Sequence, residues 1–210
     1  MRIALIHAGA VSIPPIEAAF ARDWPGAVLM NLLDDSLFSD RGEGALPEGM
    51  IARFLALARY AVGTGARGIL FTCSAFGPCI EACAAELAPL PVLKPNEAMV
   101  AAACAAGSRI GLLATFPGTL ATMPAEFPPG VTLVPRLAEG AFEALLAGDV
   151  ATHDRLVVAA ARDLADCDAI ALAQFSLSRA APAVEQALGR AVLTTPGSAV
   201  ARLRALLNPP

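Results

Sequence analysis

Short apolar runs alternate with longer amphipathic stretches along almost the whole chain, and turn residues separate them. Residues 2–7, 27–32, 68–72, 91–94, 109–114, 131–134, 169–175 and 191–194 read as strands. Residues 14–23, 48–64, 78–87, 96–106, 119–126, 139–146, 150–164, 180–188 and 196–207 read as helices. Near-continuous apolar runs are what strands covered on both faces require, and intervening helices of this length build parallel βαβ units. Boundary signals agree. Ser12 precedes Pro14 and Glu48 follows Pro47 at helix starts, while Gly65, Gly107 and Gly189 follow helix ends.

The pattern also repeats. Arg2-Ile3-Ala4-Leu5-Ile6 returns 107 residues later as Arg109-Ile110-Gly111-Leu112-Leu113, and Phe20 and Phe127 keep that spacing. Ile69 lines up with Ile170 at an offset of 101, and Val92-Leu93-Lys94 with Val192-Leu193-Thr194 at 100. Single matches between apolar strands carry little weight, but four in the same order imply a duplicated unit. The expected fold is therefore α/β: two pseudo-symmetric parallel-sheet halves, residues 1–100 plus 195–210 and residues 101–194, with an active-site cleft between them. The offset of 101 pairs Cys73 with Gln174, and Ala75 with Ser176.

Composition narrows the function. The 210 residues are 56% hydrophobic and only 16% charged, with mean hydropathy +0.61. That points to buried sheets and a homo-oligomer. No apolar window reaches the ~18 residues of a membrane span. The net charge of −4 and the lack of a basic cluster speak against nucleic acid and anionic membranes as partners. The N-terminus runs straight into a strand rather than a signal peptide. Five cysteines without an export signal are simplest to understand as reduced thiols in a cytoplasmic protein. With no glycine-rich phosphate motif, no nucleotide cofactor is expected.

The chemistry-bearing residues gather at predicted strand ends, where open α/β sheets bind ligands. Cys73 lies between the third strand and the following helix. A helix N-terminus there would lower its pKa and poise it as acid, base or nucleophile; the alternative is a small buried apolar residue. Ser74 follows, suited to a carboxylate or to capping. Thr115 and Thr119 flank the Pro117-Gly118 turn and allow the same two readings. His7 ends the first strand and is either a substrate contact or structural. His153, beside Asp154 and Arg155, reads as lying on a solvated helix face. Cys79 and Cys83 share one helix face, and with no histidine partner or C-x-x-C pair they read as packing, as do Cys104 and Cys167. No metal site is expected, and Asp34-Asp35 reads as a turn or cap.

At these residues the chain resembles the aspartate/glutamate/hydantoin racemase superfamily. The resemblance rests on the repeated α/β half, on Thr72-Cys73-Ser74 after a buried strand, and on Leu112-Leu113-Ala114-Thr115 followed by Gly118-Thr119. It implies a cofactor-independent enzyme acting on a small carboxylate. Cys73 would be the catalytic acid/base, Ser74, Thr115 and Thr119 would hold the carboxylate, and His7, Gln174 and Ser176 would be further substrate contacts. The sequence departs from the two-cysteine pattern, which places a second thiol where Gln174 stands, and glutamine has no proton to exchange near neutral pH. Racemase/isomerase chemistry is the label the resemblance implies. Single-cysteine chemistry, either decarboxylation or cis–trans isomerisation of a dicarboxylate, is the alternative, and a non-catalytic carboxylate-binding protein on the same fold is a third.

Overall fold

A computed structural model describes residues 1–41 and 46–208. Residues 42–45 and 209–210, which the sequence assigns to the first half, lie outside the described residues. The chain divides into two compact units, Met1–Asn96 with Ala199–Pro210, and Glu97–Ser198.

The first unit contains β1 (Arg2–His7), α1 (Ile13–Asp23), β2 (Val28–Leu33), α2 (Ser36–Arg41), α3 (Met50–Gly63), β3 (Gly68–Phe71), α4 (Gly77–Leu87) and β4 (Val92–Leu93). Its strands form a parallel sheet in the order β2-β1-β3-β4. The second unit contains α5 (Glu97–Ala106), β5 (Arg109–Ala114), α6 (Pro117–Thr122), β6 (Thr132–Leu137), α7 (Ala141–Leu146), α8 (Val150–Arg162), β7 (Ala169–Leu172), α9 (Ala181–Leu188) and β8 (Leu193–Thr194). Its sheet has the order β6-β5-β7-β8, again parallel. α10 (Thr195–Leu207) follows, and from Ala199 onward it belongs to the first unit, where Arg204 donates to the Asp23 carbonyl at 2.7 Å.

The two sheets repeat in register as well as in order. Ile3 pairs with Gly68, and Ile110 with Ala169, so the offsets of 107 and 101 read from the sequence are structural equivalences. β3 and β7 are flanked by a strand on each side and buried along their whole length. This is why they carry only apolar side chains. Each buried Ile, Leu or Phe contributes roughly 1.5–3 kcal/mol. In the first unit Phe54 of α3 ties this strand to the loop beyond it, with its ring 5.3 Å from Phe71 and 4.9 Å from Phe76.

Several local expectations change. α2 is absent from the sequence reading; Asp34, two residues before it, accepts from the Ser36 hydroxyl, and Arg53 of α3 clamps α2 through Asp34 at 2.9 Å and Asp40 at 2.7 Å. β7 stops at Leu172 rather than at 175, because residues 175–180 turn into a 3₁₀ helix. β6 runs on to Leu137 through Pro135, which an edge strand tolerates. Gly65 and Gly189 follow α3 and α9 with φ of +87° and +65°. Gly107 serves another purpose: a Cβ there would lie 2.3 Å from Asp168, whose carboxylate accepts the Ser108 and Arg109 N–H groups. His153 is fully buried rather than solvated, because it shares one face of α8 with buried Val157 and Ala161. Its Nδ1 lies 2.7 Å from Asp154, which also pairs with Arg179.

Phe54→Ala is expected to destabilise the protein by about 3–5 kcal/mol, as loss of a buried aromatic ring does. Urea unfolding measures this, and a loss below about 1 kcal/mol would show that Phe54 does not anchor the strand and loop together.

Candidate functional site

The first unit builds a site at the C-terminal edge of its sheet. β3 ends at Phe71, the Thr72 N–H still donates to the Ile6 carbonyl at 3.0 Å, and Cys73 leaves the sheet in an extended conformation. Residues 74–76 then make one 3₁₀ turn before α4 begins at Gly77, with Pro78 in its first turn. Cys73 is half-buried, and Ser74 is exposed with no capping hydrogen bond, so the capping reading of Ser74 does not hold.

Cys73 borders a tightly packed apolar depression with no room for a water molecule, formed with Ile6, His7, Ala8, Leu37, Phe54 and Phe71. Burial pushes the thiol above its ordinary pKa, while the Ala75 N–H and the Arg41 guanidinium pull it part of the way back. This overturns the expectation of a pKa lowered by the helix. α4 starts four residues beyond the thiol, and a helix terminus acts only over about a turn. Arg41, at the end of α2, donates from Nε to the Ala75 carbonyl at 3.2 Å, and so holds the loop while placing a positive charge near it.

Beside this loop lies a polar knot that the sequence reading missed. His7 is fully buried. Its Nδ1 is 2.8 Å from Thr72 Oγ1 and 3.0 Å from Ser12 Oγ, and its Nε2 is 3.0 Å from Asn31 Oδ1. Asn31 donates from Nδ2 to Glu17 at 2.7 Å, which fixes Oδ1 as its accepting end. His7 must then carry its proton on Nε2 and accept a hydroxyl proton at Nδ1. Burial lowers the His7 pKa, against the raising effects of Asn31 and Glu17, so the ring is held neutral. Ser12, expected as the N-cap of α1, makes no capping bond. Its hydroxyl instead meets Thr72 at 2.8 Å and the Gly9 carbonyl at 2.9 Å. The only sequence signal for this knot was a histidine and a threonine ending two strands that pair with each other.

The second unit has the same edge with different chemistry. Gln174 takes the place of Cys73, extended and leading into a 3₁₀ turn, as the offset of 101 requires. Its Oε1 accepts the Thr115 N–H at 2.6 Å and the Thr115 hydroxyl at 3.0 Å. Thr115 is buried, so it is engaged with Gln174 rather than free for a ligand. Thr119 and Ser176 are half-buried, and neither caps a helix: α6 has no side-chain cap, and Ser176 lies inside the 3₁₀ turn. The structure thus brings Cys73 together with His7, and Thr115 with Gln174. Among the described residues no cluster of three or more His, Cys, Asp or Glu could hold a metal ion.

No protein-family model matches the chain, and no curated protein matches it. Solved structures do. A cysteine-for-glycine mutant of arylmalonate decarboxylase, in a sulfate-associated form, is similar over 99% of this chain and 93% of its own, with TM-score 0.73 and 23% identity. Allantoin racemase from Klebsiella pneumoniae is similar over 99% and 87%, with TM-score 0.73 and 20% identity. Aspartate racemase from Picrophilus torridus is similar over 98% and 94%, with TM-score 0.70 and 13% identity. The chain has the fold these racemases and the decarboxylase share, as the sequence resemblance implied.

Two measurements test the electrostatics. Iodoacetamide alkylation of Cys73 should accelerate as pH rises, without levelling off until above about 8.5. Cys83 should lag behind it, since burial and the neighbouring Cys79 and Glu86 push that thiol to about 11. A plateau for Cys73 near neutral pH, followed by mass spectrometry, would contradict the dominance of burial. His7 acts in the opposite direction. Its folded pKa lies below the unfolded value of about 6.5, so as pH falls beneath that value the unfolded chain gains a proton that the folded one does not. Stability present above pH ~6.5 is therefore lost on acidification, by at most about 1.4 kcal/mol per pH unit. Urea unfolding at pH ~7.5 and ~5.5 should show a smaller pH effect in His7→Gln than in the wild type.

Proposed function

We propose that the chain is a cofactor-independent enzyme that moves a proton at the α-carbon of a small, amino-acid-like carboxylate, in the racemase/isomerase class. Cys73 is its acid/base. The single observation that carries this reading is the position of Cys73: a half-buried thiol where the chain leaves a fully buried central strand, in a fold otherwise seen in racemases and a decarboxylase. Cys79, Cys83 and Cys167 are buried in packing and have no such position. The exposed Ser74 hydroxyl, next to the thiol in the chain, supplies a hydrogen bond to the carboxylate. His7 is a positioning residue. Its neutral ring orients Thr72, the residue before the thiol.

A second reading is favoured by two specific observations. Gln174 stands where the repeat would place a second thiol, and burial keeps Cys73 protonated near neutral pH. A protonated thiol is an acid. In decarboxylation the bond from the α-carbon to the leaving carboxylate breaks, carbon dioxide departs, and the electron pair stays as an enediolate. The thiol proton then goes to that carbon, and solvent reprotonates the thiolate. Cis–trans isomerisation of a dicarboxylate would also need only one cysteine.

Trial amino acids, hydroxy acids and substituted malonates incubated in deuterium oxide separate these readings. Deuterium entering the α-carbon with loss of optical purity marks a racemase; carbon dioxide release with one deuterium in the product marks a decarboxylase. Cys73→Ser should slow either reaction by about 10²–10⁴-fold. Ligands that bind with neither outcome and undergo no cis–trans isomerisation would leave a carboxylate-binding protein instead.

A further inference from the structure

The amide of Gln174 has only one orientation available. Its Oε1 takes both the backbone N–H and the hydroxyl of Thr115, at 2.6 and 3.0 Å. A backbone N–H cannot bond to an amide NH₂, so the flip is set by chemistry and not by choice of assignment. Nε2 therefore points away from Thr115 with two N–H donors. Among the described residues it meets no acceptor, and the side chain is only half-buried.

The first unit shows that this arrangement is specific. By the same offsets Ala8 stands where Thr115 does, and Cys73 where Gln174 does. Neither Ala8 nor Cys73 can make this pair of side-chain bonds. The second unit has in turn lost the polar knot, with Ala114 and Ala173 in the places of His7 and Thr72. One strand edge carries a thiol that can exchange a proton. The other carries an amide that can donate hydrogen bonds but exchange nothing near neutral pH.

We propose that Gln174, held by Thr115, is a specificity-determining donor for an anionic oxygen of the ligand, a carboxylate or enediolate oxygen, and that Thr115 acts through Gln174 as a positioning residue. The reading deepens the proposed function and rests on it for the identity of the ligand class. It commits the second unit's own strand edge to binding an anion, a role that needs no proton exchange. A donor fixed in advance costs no reorganisation when negative charge develops on the oxygen it faces.

Malonate is the probe, and malonamide its neutral counterpart. In ¹H–¹⁵N spectra of the labelled full-length protein, the side-chain NH₂ pair of Gln174, assigned by its loss in Gln174→Glu, should move saturably with malonate and not with malonamide. Gln174→Glu reverses donor to acceptor, and should weaken malonate binding about 10- to 100-fold. Thr115→Val keeps the backbone N–H but loses the hydroxyl, and should give a smaller loss in the same direction. Gln174→Asn keeps the NH₂ and should retain more affinity than Gln174→Glu if it folds. A Gln174 NH₂ pair that stays still throughout the malonate titration overturns the proposal, as does an equal response to malonamide. Movement with malonate but no deuterium exchange for any substrate would uphold the donor while removing the enzymatic reading.

Discussion

A strand with neighbours on both sides and helices on both faces can release its chain only at its ends. β3 and β7 are such strands, each four residues long and buried throughout. Parallel pairing continues as far as the backbone bonds of Thr72 and Ala173, and the next residue must leave the sheet while still extended. Cys73 and Gln174 are those residues. Their φ,ψ values of −126°, 122° and −140°, 147° show the same exit taken twice. Everything proposed about the chemistry depends on this exit, because it sets a side chain at the carboxyl edge of a sheet with rigid backbone beneath it.

The identical backbone makes the difference in chemistry between the two units easy to interpret. At the first exit, apolar neighbours surround a thiol, and desolvation outweighs the Ala75 N–H and the charge of Arg41. A neutral histidine, two hydroxyls and an asparagine stiffen the base of the loop. At the second exit, a buried threonine grips an amide oxygen and turns its nitrogen outward. The two units repeat one scaffold, and the residues at matching positions put a thiol at one exit and an amide at the other. The clamp of Arg53 on Asp34 and Asp40 is partly exposed, so its ion pairs contribute little stability individually. Its consequence is geometric: it holds α2, and α2 carries Arg41 to the Ala75 carbonyl.

The sequence by itself determined the architecture. Buried parallel strands demand unbroken apolar runs, helices between them demand amphipathic stretches, and both signals are local and recur in the repeat, so the alternation of elements and the equivalence of Cys73 and Gln174 were legible, while the order of strands within each sheet was not. His153 was misread as solvated, although Val157 and Ala161 at spacings of four and eight mark one apolar face. Its polar side chain and charged neighbours masked that signal. What only the tertiary structure decided depends on groups distant in the chain. α2 is short, and its clamp comes from Arg53, more than ten residues beyond its end. Ser12 looked like a cap until Thr72, sixty residues away, took part in its hydrogen bonding. The Cys73 pKa was set by apolar side chains from other elements, and the Gln174 orientation by a threonine fifty-nine residues earlier. Desolvation and hydrogen-bond direction are properties of a packed neighbourhood, and residue spacing alone does not encode them.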